Sequence, residues 1–116
     1  MEFSVEFYEN KEGKCPVREF LDDLKASDPD DFAAVMAGLA KLRHRQYHRP
    51  PLSKPIGSGL LELRHVGKLN TRVLYFFMKG RRIIAVHMIR NKAWELPARE
   101  RNVALIRMND WLERQS

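Results

Sequence analysis

The sequence predicts an α+β domain in the order β-α-α-β-β-β-α, a mostly antiparallel sheet with helices packed on one face. Three observations predict it. The first residues alternate apolar and polar side chains at a period of two. Two segments between 16 and 42 carry apolar residues at helical spacing, and apolar runs between 60 and 90 are divided by short turn sequences. A chain of 116 residues fits one domain, 1–116, with one core.

In "MEFSVEFYEN", Phe3, Val5 and Phe7 alternate with Ser4, Glu6 and Tyr8, the mark of a strand with one buried face; Glu9 to Lys14 reads as a loop. Pro16 suits a first helical position, and Val17, Phe20, Leu21 and Leu24 recur as one stripe until Ser27 and Asp28 interrupt it. Asp28 is then a good N-cap for a second helix, with Pro29 next and Asp30 and Asp31 in the positive first turn. Its stripe is Phe32, Val35, Met36, Leu39 and Leu42. Lys41, Arg43, His44 and Arg45 complement the negative end of that helix, a role that leaves room for a partner contact as well.

The prolines and glycines of "HRPPLSKPIGSG" read as a connection into the sheet. Leu60 to Val66, Thr71 to Met78 and Arg82 to Arg90 follow as an antiparallel meander, separated by "GKLN" and by Lys79-Gly80. Pro97 starts a last helix, on which Ala104, Leu105, Met108, Trp111 and Leu112 cluster on a broad face.

A formal charge of +6 and a pI near 9.8 favour an anionic partner. Cys15 is the single cysteine, so no internal disulfide forms, and no Cys/His spacing suits structural zinc. The N-terminus lacks the basic and apolar segments of a signal peptide and no run reaches membrane-spanning length, so the expected location is the cytoplasm, with no membrane partner.

The meander places cations in the most apolar part of the chain. A two-residue turn at Lys79-Gly80 sets Val73 opposite Val86 and Arg72 opposite His87. A three-residue loop, Gly67 to Leu69, sets Arg64 opposite Arg72, giving one row of Arg64, Arg72 and His87. The other face then holds Leu61, Leu63, Val73, Tyr75, Phe77, Ile84 and Val86, free of charge. Adjacent like charges repel, and the acid within reach is Glu62, one step along the same face. With Arg90, Asn91 and Lys92 at the end of the third strand, the row reads as a cationic cleft whose complement is phosphate.

From Lys54 to Ala104 the chain resembles the RelE/ParE superfamily of toxins, in particular the phage-derived HigB-like branch. The resemblance rests on Glu62-Leu63-Arg64, the run Arg72 to Phe76, a strand with His87, Lys92, and the pattern Pro97, Glu100, Ala104. It implies the toxin of a type II toxin–antitoxin pair: a metal-independent, cofactor-free endoribonuclease (an mRNA interferase) that cleaves mRNA on the ribosome, with a helix-turn-helix antitoxin as partner. In that chemistry the RNA 2′-hydroxyl attacks the neighbouring phosphate. Arg72, with Arg64 beside it, would contact the phosphorane, and Lys92 or His87 would carry protons. Lys54, Arg90 and Asn91 would position phosphates or bases, while Trp94 either stacks on a base or packs. Asn91 stands where many members carry a lysine. Two other readings stay open: a ParE-like inhibitor of DNA gyrase, and a binding module whose active site has decayed.

Overall fold

Strand β1 (Ser4–Phe7) sits where the period-two alternation predicts it. Helices α1 (Pro16–Ser27) and α2 (Pro29–Lys41) follow, each opened by its proline. Asp28 caps α2: the Asp31 N–H donates to its Oδ1 at 3.1 Å. A 3₁₀ turn, Arg45–Tyr47, leads into β2 (Ser53–Gly57), β3 (Leu60–Val66), β4 (Thr71–Met78), β5 (Arg82–Arg90) and finally α3 (Ala98–Gln115). This computed structural model describes residues 2–66, 71–90 and 95–115; the loop expected at Gly67 to Leu69 lies outside them.

The α+β class and the predicted order of helices and main strands hold. The sheet is mixed, in the order β1-β5-β4-β3-β2, with β1 parallel to β5 and every other pair antiparallel. Ser53–Gly57, expected as a connection, is an edge strand. Pro55 is tolerated there because an edge strand has a side that needs no donor. Ser58 and Gly59 both take positive φ (59° and 88°), which makes the tight turn into β3.

Helices cover both faces of the sheet rather than one. Val17, Leu21, Leu24, Val35 and Leu39 of α1 and α2 pack on Leu63, Val73, Tyr75, Ile83, Ala85 and Met88. Ala104 and Met108 of α3 pack on Leu60, Leu74, Phe76, Ile84, Val86 and Ile89 of the other face. The middle strand β4 therefore reads as a continuous buried run from Thr71 to Phe76, as a strand covered twice must.

The β3–β4 register is the predicted one over Leu61↔Tyr75 and Leu63↔Val73, and an irregularity follows before Val66. The β4–β5 register differs. Met78 pairs with Arg82, because Arg81 joins the turn at φ 58°, and a bulge at Val86 adds a further shift. Arg72 consequently faces Ile89, while His87 faces Leu74. The shift at Arg81 moves Ile84 and Val86 off the face on which they were expected and onto the α3 side, and the bulge then turns His87 to that side as well.

Candidate functional site

Residues of three strands bring charge together beneath and beside α3. Glu62 sits between the two arginines, its Oε1 3.3 Å from Arg64 Nε and its Oε2 3.9 Å from Arg72 Nε. Both guanidiniums thus lie on one face of the sheet. Glu62 and Arg72 are almost closed to solvent (4% and 5% exposed), whereas the Arg64 side chain is 28% exposed. The repulsion expected between neighbouring arginines is relieved from inside by one shared carboxylate.

Lys54 of β2 pairs across the ladder with Glu62 and stands at the wall of a cleft of about 240 Å³. Ile56, Glu62, Arg64, Glu95 and Leu96 complete its lining. Arg72 lies behind this cleft, in contact with it through Glu62. The wall is pinned from α3: Arg101 Nε donates to the Ile56 carbonyl at 3.0 Å, at the irregularity in β2. Gly57 makes the approach possible, since its φ is 95° and a Cβ there would stand 2.9 Å from the Arg101 guanidinium.

His87 does not complete the expected row. Arg107 Nη1 donates to its Nδ1 at 2.9 Å, and its Nε2 lies 3.2 Å from Glu100 Oε1. A guanidinium has only donors, so Nδ1 is the bare nitrogen and Nε2 carries the proton toward Glu100. Burial pushes the His87 pKa below its ordinary 6.5; Glu100 opposes that shift and Arg107 adds to it. Both ring nitrogens are therefore committed to α3. Arg107 Nη1 also bonds the Val86 carbonyl at 2.9 Å, satisfying the acceptor that the bulge frees.

Arg90 is a second correction. Strand alternation pairs it with Thr71 and turns it to the α1 side, where its Nη2 lies 2.9 Å from the fully buried Asp31 carboxylate. It lines a separate cavity of about 200 Å³ with Phe20, Asp23, Leu24 and Ser27, so it does not extend the cleft. Asn91, Lys92 and Trp94 lie outside the described residues.

Sequence reasoning undervalued Glu62 and gave Glu100 only as part of a motif, with no partner for it, and it missed Arg107 and Arg101. The signal for two of them was there: Glu100, Ala104 and Arg107 share one stripe of α3, a polar interruption on the face that packs on the sheet. Among the described residues no three His, Cys, Asp or Glu side chains gather as metal ligands, and no helix is long and apolar enough to cross a membrane.

The sequence profile of the family described as "Phage derived protein Gp49-like (DUF891)" matches residues 19–109, most of the chain. No curated protein matches.

Proposed function

Because the chain belongs to the phage-derived Gp49-like family, we propose that it is the toxin of a type II toxin–antitoxin pair, a metal-independent endoribonuclease that cleaves messenger RNA during translation. The observation that carries this reading is the accessible Arg64 at the cleft, backed by Arg72 through the shared carboxylate of Glu62. Such a pair of fixed donors beside Lys54 suits a phosphodiester, whose charge rises in the transition state.

In the reaction, the ribose 2′-oxygen bonds to the adjacent phosphorus while the bond to the 5′-oxygen breaks, leaving a 2′,3′-cyclic phosphate and a 5′-hydroxyl. One proton leaves the 2′-oxygen and one is delivered to the departing oxygen. In this reading the more exposed Arg64 contacts the phosphate, and the buried Arg72 is the positioning residue that holds Glu62. Lys92 is the proton carrier in this scheme, since both nitrogens of His87 are engaged. An antitoxin with a helix-turn-helix domain would be the second partner.

The test is to express the chain in bacteria, map the 5′ ends of mRNA, and repeat with Arg64→Ala. New ends phased to codons should appear, and the variant should lower cleavage roughly a hundredfold or more while melting like the parent. Intact mRNA with altered plasmid supercoiling would replace this reading with inhibition of gyrase. No effect on growth or RNA would point to a binding module, a reading that the burial of Glu62 between the arginines favours.

A further inference from the structure

The charge of this chain is unevenly placed. Residues 1–31 hold ten acids and four lysines or arginines, whereas residues 32–61 hold five lysines or arginines and no acid at all. Most of that acid-free stretch forms the end of α2, the 3₁₀ turn and the approach to β2. Lys41, Arg43, His44, Arg45 and Arg49 are all exposed there. More cation is required at this place than the helix end can use, because the macrodipole acts only within its last turn.

The fold adds aromatic rings to these cations. His48 is fixed by a 2.6 Å bond between its Nε2 and the Leu42 carbonyl, and its ring lies 4.8 Å from Phe3 and 5.0 Å from Phe77. Phe77 remains 40% exposed. Lys41 stands 5.7 Å over the Tyr47 ring. The start of the chain ties the neighbouring turn to this end: the Phe3 N–H, just before β1, donates to the Arg43 carbonyl at 2.8 Å, and the Ser4 N–H to the Arg81 carbonyl at 2.9 Å. Lys79 and Arg81 of the β4–β5 turn therefore join the same end of the molecule. Arg43 pairs with Glu2 at 2.6 Å, but no ion pair among the described residues engages Arg45, Arg49 or Lys79.

We propose that this end of the molecule is a second RNA-binding surface, gripping backbone phosphates through Arg45, Arg49 and Lys79 and offering the Phe77–His48 rings to an unpaired base. It is separate from the cleft. Phe77 lies five residues along β4 from Arg72, about 17 Å, and faces the opposite side of the sheet. Cations interleaved with exposed rings suit single-stranded nucleic acid better than a lipid surface or an acidic protein, neither of which uses a π-face for stacking. The choice of RNA among single strands rests on the function proposed above; the surface itself does not.

The test measures fluorescence anisotropy of a short labelled single-stranded RNA of mixed sequence, in the Arg64→Ala background, where cleavage is slowed roughly a hundredfold. Adding Arg45→Ala and Arg49→Ala together should weaken binding roughly tenfold and lower the log–log salt slope by about 1.4, the share of two phosphate contacts. Phe77→Leu, which keeps an apolar side chain but removes the π-face, should weaken binding about fivefold without changing that slope. Unchanged affinity and slope in the double variant would overturn the proposal. So would equally tight binding by the parent to duplex DNA or to phosphatidylglycerol vesicles, lost to the same degree in the double variant. A chain that binds RNA in this way yet never cuts mRNA would keep the surface and refute the nuclease alone.

Discussion

The two faces of the sheet bury charge in opposite ways. Under α1 and α2, Arg90 pairs with Asp31, whose carboxylate is wholly closed to solvent. Under α3, two arginines share Glu62 and one of them opens on a cleft. A carboxylate wholly closed to solvent holds elements together, whereas one shared by two arginines at a polar cleft leaves Arg64 within reach of a ligand. The same residue types are thus structural on one face and available for chemistry on the other.

The comparison is broken most severely at the Arg90–Asp31 pair. Arg90→Met takes the arginine away from the fully buried Asp31 carboxylate and should cost about 3 to 5 kcal/mol in urea unfolding. Asp31→Ala combined with Arg90→Met should recover a large part of that loss, because the buried carboxylate is removed together with its arginine. If the single and double variants are equally unstable, the pair is not what secures this face.

The face under α3 should respond differently. Glu62→Gln removes the carboxylate between the arginines and should cost about 2 kcal/mol of stability, less because Arg64 reaches solvent. The same change removes a negative charge from the cleft beside Arg64, so binding of inorganic phosphate should tighten by roughly tenfold. Lower stability with weaker phosphate binding would mean that Glu62 orders the arginines more than it neutralises them.

Much of this was legible in the sequence. Periodicity and the Asp28-Pro29 cap locate β1, α1 and α2, and segregation of charge from apolar residues places Arg64 and Arg72 on one face with the register Leu63↔Val73. What was illegible came from two local events. Arg81 adopts a left-handed conformation that its residue type does not advertise, and Val86 bulges because Arg107, twenty-one residues later, is there to take its carbonyl. Each event shifts a register, and together they move His87 away from Arg72. The second helical layer was hidden for a related reason: a strand covered on both sides loses its alternation, so β4 does not announce which face each helix takes.

The smallest expected effect decides where His87 belongs. Burial lowers its pKa in the folded chain, with Glu100 and Arg107 of α3 as the charged groups facing it and Tyr8 acting on Arg107. The unfolded chain binds the proton more readily, so this group's contribution to stability is full above its ordinary 6.5 and is lost as pH falls through the folded value. Urea unfolding between about pH 8 and pH 5 should therefore show stability falling on the acid side, and His87→Gln should flatten that fall relative to the parent. The difference between the two chains isolates His87 from the exposed His44. A cleavage rate that drops in His87→Gln while this pH slope stays unchanged would return the imidazole to the chemistry. A slope that flattens while cleavage keeps its rate would assign it to the joint between β5 and α3, and leave the cleft with Lys54 and Arg64 as its exposed described cations.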